Sequence, residues 1–166
     1  MADERVTYDL DSYDVVTTAL MDLLNRYPEL DGDEVGFSVL SSESGVAMFP
    51  TSGAVVNSEV EDVTNHVEQV CSYPFIVIYR AGGLSETRKA RVKEFLDDLG
   101  KWLERQEITY HGANYRLTEY PQLSGNRSFR KIERTSPAYL MQTTTDAVDD
   151  WAISLQATYR NEFDRD

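Results

Sequence analysis

The most continuous apolar run in the chain is Tyr73-Pro74-Phe75-Ile76-Val77-Ile78-Tyr79, mostly aromatic and β-branched residues. It is too short, and too punctuated by Pro74, to favour a helix. It therefore predicts a strand buried on both faces, with Pro74 near its start or on an edge. Ala81, Gly82 and Gly83 end the run, and Ser85 stands where an N-cap hydroxyl can accept from an orphan amide of a following helix. That helix is expected to reach about Arg105. Val92, Phe95, Leu96, Leu99 and Leu103 recur in it at helical spacing as one apolar stripe, leaving Arg88, Lys89, Arg91, Asp97, Asp98 and Lys101 for water. A strand with a helix laid on it is the expected nucleus of the fold.

Towards the N-terminus, Asp9 to Tyr27 predicts an amphipathic helix with Asp11 or Ser12 as cap. Val16, Leu20, Leu23, Leu24 and Tyr27 lie on one face, and Pro28 is the stop. Leu30 to Glu34 is an acidic turn around Gly32, Phe37 and Val39 alternate as a short strand, and Ser41 to Gly45 is a loop. Val46 to Phe49 and Ala54 to Val56 are short extended runs separated by Pro50, Ser52 and Gly53. They predict a hairpin or a flexible arm over residues 46–61. Glu59 to Val70 fits two periods: Val60, Val63, Val67 and Val70 match a helix, whereas the valine content and the alternation around Val67 match extended chain. The strand is preferred, and it would run on into the Phe75 run.

Beyond the central helix, Tyr115 and Leu117 alternate briefly after Gly112, and Pro121 to Phe129 reads as a surface loop. Ile132 and the stretch Ala138 to Thr145 are strand candidates interrupted by Pro137, followed by a polar turn at Asp146 to Asp150. Trp151, Ile153, Leu155, Ala157 and Tyr159 then alternate with Ala152, Ser154, Gln156, Thr158 and Arg160, the cleanest period of two in the sequence. It predicts an antiparallel hairpin with one dry face. The expected fold class is α+β, a mainly antiparallel or mixed sheet with two helices packed on one face, in a single domain over residues 1–166.

Composition narrows the function classes. The 166 residues carry 16 Lys and Arg against 29 Asp and Glu, a formal net charge of -13 at pH 7. Such a field opposes tight binding to a phosphate backbone, though not passage of DNA nearby. The lone Cys71 can form no internal disulfide, and no basic segment precedes an apolar run at the N-terminus, so a reducing cytosol is expected rather than secretion. No apolar stretch approaches the length that spans a bilayer, so no membrane partner is expected.

Candidate chemistry is sparse. His66 and His111 have no Cys, His or carboxylate at a metal-ligand spacing, and Cys71 reads as a small buried residue, so neither metal nor cofactor is expected and the chain does not read as an enzyme. Neither Asp97 with Asp98 nor Asp149 with Asp150 makes a catalytic carboxylate pair, since adjacent helix residues diverge and adjacent turn residues face water. Gly82 and Gly83 precede a helix without the phosphate-loop pattern. Arg80, Arg88, Lys89 and Arg91 make a small basic cluster there, read first as a solvated helix start. Arg127, Arg130, Lys131 and Arg134, with Phe129 among them, form a basic block. Glu59, Glu61 and Asp62 form an acidic one. Opposite-sign blocks suit head-to-tail self-association into a ring, and these seven residues are the subunit-interface candidates.

The run YPFIVIYRAGG, the helix segment EFLDDLGKWLERQ, the turn Tyr120-Pro121-Gln122-Leu123 and the stretch RKIERTSPAYLMQTTTDAVDDWAISLQATY together resemble the minor capsid proteins of siphophages of Gram-positive bacteria. These look like tail terminators, or tail completion proteins. The resemblance covers roughly residues 60–160. It implies a tail-terminator-like fold and a structural virion protein at the head-proximal end of the tail, assembled in the host cytoplasm. Such a subunit would form a hexameric ring that caps the tail tube, ends tube polymerisation and joins the tail to the head connector. The implied partners are further copies of itself, the tail tube protein and a head-completion or stopper protein, with genomic DNA passing through the lumen. Phe49, Thr51, Val55 and Val56 are the candidates for touching the tube or connector. Another ring of the head-to-tail connector, or a small intracellular domain binding an anion at the Gly82 turn, are the alternatives.

Overall fold

The computed structural model describes residues 6–11, 13–40, 44–83 and 85–165. In chain order the elements are α1 (Tyr13–Leu24), a 3-10 turn (Pro28–Leu30), β1 (Val35–Phe37), β2 (Gly45–Pro50), β3 (Val55–Glu61), β4 (His66–Gly82), α2 (Glu86–Leu103), β5 (Ile108–Tyr110), β6 (Ala113–Tyr115), β7 (Arg127–Arg134), β8 (Tyr139–Thr143) and β9 (Val148–Asp164). Among the described residues this is an α+β fold of two helices and a mixed, mostly antiparallel seven-strand sheet, with β5 and β6 as a separate small hairpin.

The axis of the sheet is the antiparallel pair β4 and β9, in register from His66↔Asp164 to Gly82↔Val148. β2 and β3 lie end to end along the outer side of β4, and β7 and β8 lie end to end along the outer side of β9. β1 adds to β2 in parallel. Pro74 sits well inside β4, not at its start. It falls between the part of β4 that pairs β2, ending at Pro50↔Phe75, and the part that pairs β3, beginning at Val55↔Ser72. A residue without an N–H leaves no donor unmatched in that gap.

Strand alternation sorts the two faces. Cys71, Tyr73, Phe75 and Val77 of β4 and Ile153, Leu155, Ala157 and Tyr159 of β9 are at most 1 % exposed and belong to one core with Leu20, Leu23 and Leu24 of α1 and Leu96, Leu99 and Leu103 of α2. Both helices therefore cover the same face. The Thr17 and Tyr73 hydroxyls hydrogen-bond at 2.8 Å, which ties α1 to β4. The Phe95 ring meets Tyr27 and Tyr79 edge-on, each at 5.1 Å between centroids. α2 starts where expected, with Ser85 Oγ accepting from the Arg88 amide at 3.3 Å. Gly100 lets the helix approach the sheet, because a Cβ there would fall 2.3 Å from Arg134 Cδ and 3.1 Å from Ile153 Cδ1.

Several expectations change. Residues 46–61 are not a free arm: β2 is built into the sheet, with Ala47 and Met48 fully buried, and β3 continues the same side of β4. The strand preferred for 59–70 exists but is split by a turn at Asp62–Asn65. Glu59 to Glu61 belong to β3, and His66 onward to β4. β1 stops at Phe37, leaving Val39 73 % exposed. α1 begins at Tyr13 rather than Asp9, and the alternative cap Ser12, like residues 41–43 of the expected loop, lies outside the described residues. The turn expected at Asp146–Asp150 is one step earlier, closed by the Thr144 amide and carbonyl, so Asp149 and Asp150 are buried strand residues of β9.

Candidate functional site

The acidic and basic blocks lie on opposite edges of one sheet. Glu59 of β3 pairs with Gln69 of β4, Gln69 with Asn161 of β9, and Asn161 with Arg127 of β7, so the blocks share a single row across four strands. The outer edge of β7 is closed at its C-terminal half, where the Ile132 amide donates to Tyr120 Oη at 3.1 Å and the Arg134 amide to Glu104 Oε2 at 3.0 Å. The outer edge of β3 is closed at its N-terminal half, where the Val56 amide donates to the Thr7 carbonyl at 2.7 Å. What remains is Asn57–Glu61 on one edge, all exposed, and the segment holding exposed Ser128, Arg130 and Lys131 on the other.

Within these edges the seven interface candidates divide. Arg127 is an internal tie: its Nη2 and Nε donate to Asp9 Oδ1 and Oδ2 at 2.7 and 2.9 Å, Tyr159 Oη donates to Asp9 Oδ2 at 2.7 Å, and the two charged side chains are 12 % and 5 % exposed. Burial alone would raise the Asp9 pKa, but the hydrogen bonds from Arg127 and Tyr159 outweigh it and hold the carboxyl below its ordinary range. Arg134 faces the helices and pairs with Glu104 at 2.8 Å. Asp62 caps its own turn, with Oδ1 accepting from the Thr64 hydroxyl at 2.6 Å and amide at 2.8 Å. Glu59 and Glu61 share Arg165, each at 3.2 Å. Lys131 lies 3.4 Å from Glu133. Arg130 is exposed and has no ion pair among the described residues.

The proposed tube-contact residues also separate. Phe49 and Val55 pair with Ile76 and Ser72, on the face without helices, and Thr51 is exposed beside them. Val56 pairs with Cys71 and packs on the core beneath the helices, so it leaves that set. Sequence reading missed the most apolar free edge: all of β8 is exposed, including Tyr139, Leu140 and Met141. Its signal was the unbroken Tyr139-Leu140-Met141 run that follows Pro137-Ala138.

The basic cluster near Gly82 does not hold together. Arg80 forms a two-pronged pair with Asp150, at 2.7 and 2.9 Å, and Gln142 Nε2 donates to the same fully buried carboxylate. Arg88 and Arg91 line an open cleft of about 1250 Å³ between α2, the 3-10 turn and the β5–β6 hairpin. Its other charged walls are Glu29, Asp31, Asp33, Glu94, Asp98 and Asp146, a surrounding that disfavours an anion. His66 is half-buried and bonds Asp164 at 2.8 Å, while the His111 ring lies tilted against Tyr110. Burial pushes the Cys71 thiol up to about 11, out of the reactive range. Among the described residues no group of three or more His, Cys, Asp and Glu side chains could hold a metal ion. No described helix is long and apolar enough to cross a membrane.

No protein-family model and no curated protein matches the chain. One solved structure, whose name says nothing of its role, is similar at a TM-score of 0.39 and 16 % identity, covering 94 % of this chain and 99 % of that one.

Proposed function

We propose that the chain is a ring-forming structural subunit of a phage tail, a tail terminator that caps the tube and joins it to the head-side connector. The observation that carries this reading is the placement of the two unequal edges. The open part of β3 and the open part of β7 lie on opposite sides of one sheet, level with each other at Ser58 and Ser128, and bear charge of opposite sign. β3 and β7 also run in opposite directions, because each lies one antiparallel step outside the central antiparallel pair. The β7 edge of one copy can therefore meet the β3 edge of the next in antiparallel fashion without inverting either subunit. A contact between unlike patches that repeats by rotation closes into a ring. The acidic surplus suits a lumen through which DNA moves without sticking.

A domain that binds a small anion at the Gly82 turn is less well supported, since the adjoining cleft is walled mainly by carboxylates. Charge reversal at Arg130 and Lys131 together tests the ring. In sedimentation velocity the wild-type chain is expected to form a closed oligomer that weakens as salt screens the edge charges, and the double variant to remain monomeric while keeping its melting temperature. A double variant that assembles like the wild type refutes this interface.

A further inference from the structure

The chain's surplus charge is acidic, yet one hollow at the end of α2 is basic. Arg105 after α2, Arg116 after β6, and Arg130 and Lys131 of β7 line an open pocket of about 430 Å³, and Glu104 is the one carboxylate among the described residues that line it. That carboxylate is already engaged: Oε1 accepts from Arg134 Nη2 at 2.8 Å, and Oε2 from the Arg134 amide at 3.0 Å. Lys131 meets Glu133 at 3.4 Å, an exposed contact that neutralises little. The exposed Arg116 and Arg130 side chains have no hydrogen bond or ion pair among the described residues. The pocket therefore gathers four cations, and no free carboxylate of its own walls answers them.

The backbone at Arg105 is strained to build that wall. The Arg105 amide donates to the Trp102 carbonyl at 3.0 Å and the Gln106 amide to the Lys101 carbonyl at 2.9 Å, which closes α2 with Arg105 in the left-handed region at φ 63°. Glycine is the usual residue there, and a side chain costs energy. The guanidinium is held in turn: Nη2 donates to the Thr118 carbonyl, and the group lies 5.8 Å from the centre of the Tyr120 ring. Arg105 thus fixes the loop after β6, which carries Arg116, against the end of α2 and beside Arg130.

We propose that this pocket is a binding site for linked phosphates, with the Arg116 and Arg130 guanidinium groups and the Lys131 ammonium meeting phosphate oxygens and Arg105 as the fixed wall. A single carboxylate satisfies one guanidinium fork, whereas three guanidinium groups and an ammonium converging from three elements match an anion with several charges and many acceptor oxygens. The volume points the same way, because a water takes about 30 Å³ in the liquid and a lone monatomic ion would leave most of the hollow to solvent. The overall charge of -13 does not forbid the site: at physiological ionic strength, exposed charges separated by more than about 8 Å are largely screened, and the near cations dominate. The negative end of α2 lies at the same wall, and Arg105 beside it offsets that end. The site goes beyond the ring reading, since Arg105 and Arg116 belong to the α2 end and the loop after β6 and lie off the open β7 edge.

Calorimetric titration of the full chain with sodium tripolyphosphate, at low and at physiological salt, tests the site. Saturable binding of one equivalent is expected, weaker as salt rises. Arg116→Gln and Arg130→Gln each remove one exposed charge contact and should weaken binding by about two- to fivefold, the range of such pairs, while Arg88→Gln in the acidic cleft should leave it unchanged. A short single-stranded oligonucleotide added as competitor identifies the source. Displacement assigns the site to a nucleic-acid backbone and its absence to a free polyphosphate, and either result keeps it a phosphate site. Arg116→Gln should sediment as the wild type does, so a failure of phosphate binding and a failure of ring assembly are read separately. No saturable binding, no weakening in both Arg116→Gln and Arg130→Gln, an equal loss in Arg88→Gln, or tighter binding of poly-glutamate than of tripolyphosphate overturns the proposal.

Discussion

Arg127 looks in sequence like part of a basic surface, and its replacement should behave as damage to the core. Arg127→Met keeps the length of the stem but leaves the Asp9 side chain, 5 % exposed, with a buried charge that has lost its guanidinium and keeps only neutral donors such as the Tyr159 hydroxyl and the Asp11 backbone. Breaking a buried ion pair by removing one partner costs about 3 to 5 kcal/mol. The Arg127 side chain retains 12 % exposure at the sheet edge, so the lower end applies, about 3 kcal/mol. In a domain of this size that corresponds to a fall in Tm of roughly 6 to 12 °C. Urea unfolding at pH 7 of Arg127→Met, Asp9→Asn and the double variant should show the two losses to be strongly non-additive, because they remove one contact. Acid should erase the difference. A depressed folded pKa gives Asp9 a contribution that is present above its ordinary value of 3.8 and lost as pH falls through the lower folded value. A loss below about 0.5 kcal/mol for Arg127→Met, the range of ordinary surface changes, would refute the reasoning.

Leu96 is fully buried in the α2 stripe, so Leu96→Ala should cost about 2 to 5 kcal/mol in urea unfolding. Gly100→Ala should destabilise by about 1 to 3 kcal/mol even though alanine favours helix, because the added methyl meets Arg134 and Ile153; calorimetry showing a higher Tm would count against the tight approach. Arg80→Met leaves the fully buried Asp150 carboxylate with Gln142 alone, and a loss of about 3 kcal/mol or more is expected from the same unfolding measurement.

What was legible in the sequence was local. The α2 stripe, its Ser85 cap, the buried face of α1 and the dry alternation of β9 all depend on spacing within a few residues, and each appears in the structure. What escaped was pairing across distance. Asp9 lies 118 positions from Arg127, so neither residue carries a local sign that it belongs to a buried pair. Asp149 and Asp150 read as a solvated turn because what makes their burial tolerable, the Arg80 guanidinium and the Gln142 amide on Asp150 and the Thr143 hydroxyl on Asp149, comes from other strands. Pro50 and Gly53 suggested a loose arm, whereas β2 gains its order from a partner strand some thirty residues on, at Phe75–Arg80. The opposite charge of the two edge blocks was readable, but not that six of those seven side chains already have partners inside the subunit, nor that the blocks meet in one row of the sheet at Glu59 and Arg127.

The central claim is that copies of this chain close into a ring at the end of a tail tube, and electron micrographs of the purified chain mixed with its tube protein test it most directly. The account predicts ring-shaped particles of the chain alone at high concentration, and tubes of limited length that each carry one such ring at one end. A chain that stays monomeric at every concentration and leaves tube length and tube ends unchanged would contradict it.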